Sequence, residues 1–296
     1  MEPGTDPLTV AILGSGAMAR YWAFSLETMH PWVVGQVPPP YHIVEMDGTE
    51  HRLTPLHFDW CDKPPRTPDV VLLLIKWRRM PEAARWISAH APQSLVISLM
   101  NGMGQDEALS TVPAIGLAQG LTTAAATRRE PVVYIRSHGQ TLVPQLGDPR
   151  ERRLQKASRT YGWDWCWVNL KTMADLRWQK LLQNSVINPL TALADCTNGE
   201  ILERTIWQLA RPLLNEGTQA ARAVGAEVPQ DMLGRVTRLA RETRDNLSSM
   251  VQDVRAGLPT EIDAINGYII RTALSHGITV PTHQALVRLI HSLTGG

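Results

Sequence analysis

The chain has 296 residues, enough for two domains of ordinary size. Hydrophobic residues make up 44% and charged residues 19%, a balance that excludes intrinsic disorder. Lys and Arg number 29 against 28 Asp and Glu, so the formal net charge is +1 and no general electrostatic grip on nucleic acid or an anionic membrane is expected.

Leu8 to Leu13 is an apolar run of strand-like composition closed by Gly14-Ser15-Gly16, and a helix-compatible stretch follows from Ala17 to about Met29. Strand, glycine turn and helix open a βαβ unit. Tyr41 to Met46 with the Asp47-Gly48 turn predicts a small hairpin. Asp69 to Ile75 reads as a strand buried on both faces, Pro81 as the start of a helix running to His90, and Ser94 to Leu99 as another strand. This alternation, continued to Asn169, predicts a parallel sheet covered by helices. From Leu170 the texture is helical. Leu239 to Val254 reads as one helix, and Thr260 to His276 as another with Ile262, Ile265, Ile269 and Ala273 on one face. Thr260 with Asp263 suggests a capping box, and Gly277 a helix-ending glycine. The expected fold is α/β, a dinucleotide-binding domain over 1–169 followed by an all-helical substrate-binding and catalytic domain over 170–296.

Cys61, Cys166 and Cys196 are far apart, and the histidines lack ligand spacing, so neither a disulfide framework nor a metal site is expected. The longest purely aliphatic run, Val70 to Ile75, is six residues, and the first fifteen residues do not read as a secretory signal. A cytoplasmic protein without nucleic-acid or membrane partners is the expectation.

Gly14-Ser15-Gly16-Ala17-Met18-Ala19 matches the pattern G-x-G-x-x-G/A. There the first glycine makes the tight turn, the second lets backbone approach a pyrophosphate, and a small third residue lets helix and strand pack closely. An acid about twenty residues further on would bind the ribose hydroxyls of NAD. The corresponding segment, Val34-Gly35-Gln36-Val37, has no carboxylate and no arginine. The missing acid favours NADP over NAD, with Arg20 as a substitute ligand for the 2′-phosphate; NAD stays open.

Lys180, Asn184 and Asn188 recur every four residues and so share one helix face. Pro189 removes a backbone N–H and predicts a break or kink beside them. Ketone reduction needs such groups: hydride arriving at a carbonyl carbon leaves negative charge on oxygen, which a lysine ammonium stabilises and then protonates. Glu261, at a helix start, and the polar group Asn246, Ser248 and Ser249 are further candidates; a solvated helix face is the bland alternative.

Together these segments resemble the ketopantoate reductase (2-dehydropantoate 2-reductase) family. The likeness is carried by ILGSGAMA near the N-terminus, NGMG (Asn101 to Gly104), KLLQNSVINPLTAL (Lys180 to Leu193), NGE (Asn198 to Glu200) and NLSSMVQDV with TEIDAINGYI (Asn246 to Ile269). The resemblance implies a Rossmann-type N-terminal domain and a helical C-terminal one. It implies Lys180 as general acid and Glu261 as the acid near nicotinamide and substrate. Asn184, Asn188, Asn198 and Ser249, with Asn246 beside them, fall at substrate-binding positions. Gly14, Ser15, Gly16, Ala17, Met18, Ala19, Lys76, Asn101 and Ala126 fall at cofactor-contacting ones. The implied reaction is NADPH-dependent reduction of 2-dehydropantoate to (R)-pantoate, on the route to pantothenate and coenzyme A, and a homodimer is an accompanying expectation. Two departures stand out: Gln36 replaces the basic residue that often reads the 2′-phosphate, and Met29 to Val34 differs from the usual loop into the second strand. Rival readings are a reductase of another branched 2-oxo acid, a β-hydroxyacid dehydrogenase (which also pairs a helix lysine with an asparagine four residues later), and a non-catalytic NADP-binding redox sensor.

Overall fold

The computed structural model describes residues 8–112 and 116–294. Contacts within the chain group the part up to Met100 and Gln105–Met173 into one unit, and Asn101–Gly104 with Ala174 onward into a second.

The first unit begins with β1 (Val10–Leu13), α1 (Ala17–Ser25), β2 (Trp32–Val34), β3 (Tyr41–Val44), β4 (Glu50–Leu53) and β5 (Leu56–Phe58). It continues through β6 (Val70–Leu73), α2 (Met80–His90), β7 (Leu95–Ser98), α3 (Gln105–Ala108) and β8 (Gly116–Gln119). Strands β5-β2-β1-β6-β7-β8 form one sheet whose neighbours all pair in parallel. The chain winds outward from β1 and returns on its other side at β6, the strand order of a Rossmann-like sheet, and ligands of such sheets bind beyond the carboxyl ends of the strands at that reversal. Every residue of β1, β6 and β7 is buried. Because successive side chains alternate across a strand, they feed two cores. Val10, Ile12, Val70, Leu72, Leu95 and Ile97 join Tyr21 and Trp22 of α1 on one face. Ala11, Leu13, Val71, Leu73 and Val96 join Trp86 and Ile87 of α2 on the other. Each large apolar side chain so enclosed contributes roughly 1.5–3 kcal/mol.

The unit is completed by β9 (Leu121–Thr122), β10 (Ala125–Arg129), β11 (Val132–Ser137), β12 (Thr141–Pro144), α4 (Pro149–Tyr161) and β13 (Trp165–Val168). The expected hairpin forms: β3 and β4 pair antiparallel around Gly48, whose φ is +91°. It belongs to a separate sheet, β10-β11-β3-β4, and β13-β12-β9 makes a third. The expectation of simple strand–helix alternation up to Asn169 therefore needs correction, since after β8 short strands pair mainly with each other. Trp163, Trp165 and Trp167 face one side, with successive ring centroids 5.8 and 6.3 Å apart, and pack on the core beneath α1.

The second unit is helical, with α5 (Leu170–Ala194), α6 (Ala210–Ala223), α7 (Met232–Glu242), α8 (Ser249–Arg255), α9 (Ile262–Ser275) and α10 (Pro281–Thr294). Ile262, Ile265, Ile269 and Ala273 all lie in its core. Gly277, at φ +70°, ends α9 as expected, with Gly277 N–H bonded to the Leu274 carbonyl and Ile278 N–H to that of Ala273. Three expectations fail locally. Leu239 to Val254 is not one helix: α7 ends at Glu242, and α8 starts afresh because the Ser248 hydroxyl accepts the Val251 N–H at 3.2 Å and caps it. The capping box of Thr260 with Asp263 does not form: Glu261 is the N-cap and makes no side-chain cap bond, while the Thr260 hydroxyl accepts the Ile262 N–H at 3.4 Å. Pro189 does not break α5, which runs through it. No helix among the described residues is long and apolar enough to cross a membrane.

Candidate functional site

In the first unit the glycine turn links β1 to α1. Gly14 has φ +125°, and a Cβ there would lie 2.3 Å from the Leu74 carbonyl oxygen, so no side chain is tolerated. Ala19 is fully buried, with its Cβ 3.5 Å from the same point, and a larger residue would push α1 off the turn. Gly16 is the N-cap of α1 and has open space where a side chain would project. No side chain caps α1. Its first N–H groups and positive dipole end thus suit an anion such as a dinucleotide pyrophosphate. Ser15 braces the turn: its hydroxyl accepts the Val37 N–H at 3.4 Å and its carbonyl accepts Arg20 Nε at 3.0 Å. Ala17 and Met18 are half-buried beside the core under α1. Lys76 is exposed just past β6, and Ala126 is half-buried on β10 opposite Ile135.

Arg20 is not at the surface. Its guanidinium is 2% exposed, lies over the Tyr41 ring at 4.9 Å, and contacts the Pro131 carbonyl and Glu130. It is therefore structural rather than a ligand for a phosphate. A different cation stands beside Gln36: the Arg79 guanidinium donates through Nη2 to Gln36 Oε1 and through Nη1 to Glu82 Oε1 at 3.1 Å.

In the second unit, α5 supplies Lys180, Asn184 and Asn188 at four-residue spacing, Lys180 and Asn184 half-buried and Asn188 buried. Burial pushes the Lys180 ammonium down to about 8, and the carboxylate of Glu261 opposes that shift, so the two lie within electrostatic reach. Lys180 keeps partial access to solvent although protein surrounds most of it. Glu261 itself is buried at the start of α9. The NGMG segment packs there too: Met103 N–H donates to the Ala264 carbonyl at 2.9 Å, and a Cβ on Gly102 would meet that oxygen at 2.6 Å. Asn101 thereby joins the unit that carries Lys180 and Glu261.

The other polar candidates form a connected run. Thr191, one turn past Asn188, donates to the Asn188 carbonyl and pairs with the Ser248 hydroxyl at 2.9 Å, which ties α5 to the start of α8 and to Ser249. Asn198 N–H donates to the Asn246 carbonyl at 3.0 Å, and its Nδ2 donates to Thr243 Oγ1 at 2.9 Å. Asn198 Oδ1 is buried without a hydrogen-bond partner, a polar acceptor suited to a ligand hydroxyl. The Asn246 side chain lies on an exposed residue, and its backbone does the connecting.

Sequence reasoning missed the device that satisfies α5 at Pro189. The Ser185 carbonyl, deprived of its helical donor by Pro189, accepts Asn266 Nδ2 from α9 at 3.0 Å. The same Nδ2 meets His283 Nδ1 at 3.0 Å, and His283 Nε2 meets the Leu213 carbonyl at 3.0 Å. A carbonyl only accepts, so Nε2 carries the proton and Nδ1 accepts from Asn266. Burial lowers the His283 pKa, in keeping with a neutral ring. Both Asn266 and His283 are fully buried. Glu216 holds the start of α10 by accepting from Thr282 and His283 N–H.

Comparison with known proteins agrees over nearly the whole chain. The family described as "Ketopantoate reductase PanE/ApbA" matches residues 10–148, and "Ketopantoate reductase PanE/ApbA C terminal" matches residues 172–294. A 2-dehydropantoate 2-reductase of Shigella flexneri is 33% identical, over 96% of this chain and 94% of that protein. Among solved structures, D-mandelate dehydrogenase in ternary complex with NADH and anilino(oxo)acetate superposes with a TM-score of 0.87 at 19% identity, covering 97% of this chain and 99% of the other. A dimeric ketopantoate reductase of Staphylococcus aureus gives 0.84 at 22% identity, with the same coverage. These two show a shared fold.

Proposed function

The chain belongs to the ketopantoate reductase family, and from that premise we propose that it reduces 2-dehydropantoate to (R)-pantoate with NADPH, Lys180 serving as general acid. The observation that carries the reading is Lys180 itself, a half-buried lysine whose ammonium is lowered to about 8 with Glu261 nearby. A proton donor works best when its pKa lies near the working pH, and burial has brought this one there.

The glycine turn would hold the cofactor pyrophosphate on the uncapped N-terminus of α1, with Ser15, Ala17, Met18 and Ala19 shaping the turn. Lys76, Asn101 and Ala126 are further proposed cofactor contacts. When bound, the reduced nicotinamide supplies the hydride. Lys180 stabilises the negative charge that develops on the keto oxygen and delivers a proton to it. Glu261 favours the ammonium form and so keeps that proton in place. Asn184, Asn188, Asn198 and Ser249 orient the hydroxyl and carboxylate of the substrate, with Asn246 supporting Asn198 through its backbone. The unpartnered Asn198 Oδ1 is suited to a substrate hydroxyl. The relatedness to a dimeric reductase supports a homodimer, and a cytoplasmic location is part of the proposal.

Replacing Lys180 by Ala tests the assignment. The expected loss is about 10²–10⁴-fold in kcat for keto-acid reduction, with NADPH binding retained. Near-normal turnover in the variant would remove Lys180 from the mechanism.

A further inference from the structure

Gln36 stands just past the end of β2, where a dinucleotide site distinguishes a ribose hydroxyl from a 2′-phosphate. It brings no charge, and the turn around it, Gly35 to Val37, packs on Ser15 of the glycine turn. Arg79 stands past the end of β6, on the other flank of β1. The Arg79–Gln36 bond therefore joins the loops leaving the two strands on either side of β1, at the carboxyl edge where the strand order reverses. Resting on the NADPH reading above, we infer that Arg79, held in place by Gln36, binds the 2′-phosphate of the cofactor and sets the preference for NADPH over NADH.

Three observations support this. The first is supply: Lys76, Arg78 and Arg79 give this loop three cations within four residues, and Glu82 pairs with Arg79. The second is preorganisation. Arg79 is about one-quarter exposed, and bonds to Gln36 and Glu82 hold its planar fork at two donors while the fork has others to offer. An arginine already positioned loses less freedom on gripping a phosphate than a solvated one would. The third is elimination of the nearest rival, since Arg20 is enclosed beneath Tyr41 and against Pro131 and Glu130. Glu82 repels a phosphate but also fixes Arg79 in place.

The test is direct titration of the full-length protein with NADPH and with NADH, without keto acid, following quenching of protein fluorescence. The two nucleotides differ only in the 2′-phosphate. Wild-type protein is expected to prefer NADPH. In Arg79→Gln the NADPH affinity should fall roughly ten- to a hundredfold, with NADH affinity little changed, because one charge-assisted phosphate contact is lost. Arg79→Lys should recover part of the difference, and Gln36→Leu should lose a smaller share of it. If wild-type protein prefers NADPH and Arg79→Gln preserves the preference, the inference is overturned while the NADPH reading stands. Loss of both nucleotides to the same extent in Arg79→Gln would also overturn it, since the residue would then serve the turn and not the phosphate. If wild-type protein itself does not discriminate, both the inference and the NADPH preference fall.

Discussion

Lys180 has a consequence in pH. In the proposed mechanism its ammonium is the acid that ketone reduction consumes, and with a pKa lowered to about 8 that form predominates below pH 8 and is lost above it. The kcat for reduction is therefore expected to fall as pH rises through about 8, whereas oxidation of the hydroxy acid, which needs the neutral amine, should rise over the same range. Stopped-flow or steady-state profiles in both directions check this, and a reduction rate that stays flat to pH 10 would contradict it. The stripe of Lys180, Asn184 and Asn188 was legible from helical spacing alone. Arg79, Asn266 and His283 were not, because their roles rest on partners remote in sequence: Gln36 lies 43 residues from Arg79, and Ser185 lies 81 from Asn266. No local pattern encodes such pairs.

Among the elements, α5 is the informative one. Proline in a helix interior removes a bond and usually kinks it, at a cost of about 3 kcal/mol or more. Here the freed Ser185 carbonyl is satisfied from α9, and Lys180, Asn184 and Asn188 stay on a continuous helix. Asn266→Leu should destabilise the protein by roughly 2–4 kcal/mol, because it strands the Ser185 carbonyl and His283 Nδ1 in the core. In a Pro189→Ala background the same change should cost about 1 kcal/mol less, since an alanine in place of the proline would return the helical N–H. Urea denaturation of the four proteins measures the difference, and an equal loss in both backgrounds would show that Asn266 does not serve the proline. Periodicity predicted the core face of α9 but ran α7 and α8 together. The apolar spacing persists across Thr243 to Ser248, and the break is made by hydrogen bonds: Ser248 capping α8, and the Asn246 carbonyl taken by Asn198.

For the molecule as a whole, alternating strands, the glycine turn and a helical second half were enough to predict a Rossmann-like sheet followed by helices, because parallel strands buried on both faces leave continuous apolar runs. Beyond the β3–β4 hairpin the two small sheets were hidden, since their strands carry mixed surfaces such as the exposed and half-buried residues of β10. The uncapped start of α1 and the lowered Lys180 lie in different units of the chain, and the proposed reaction requires both. The most direct measurement is therefore oxidation of NADPH by purified protein in the presence of 2-dehydropantoate, followed by the near-ultraviolet absorbance of the cofactor, with NADH in parallel. Rapid oxidation that depends on the keto acid, and is faster with NADPH, is the predicted result. Binding of both nucleotides with no oxidation of either on addition of 2-dehydropantoate would contradict the proposed reaction.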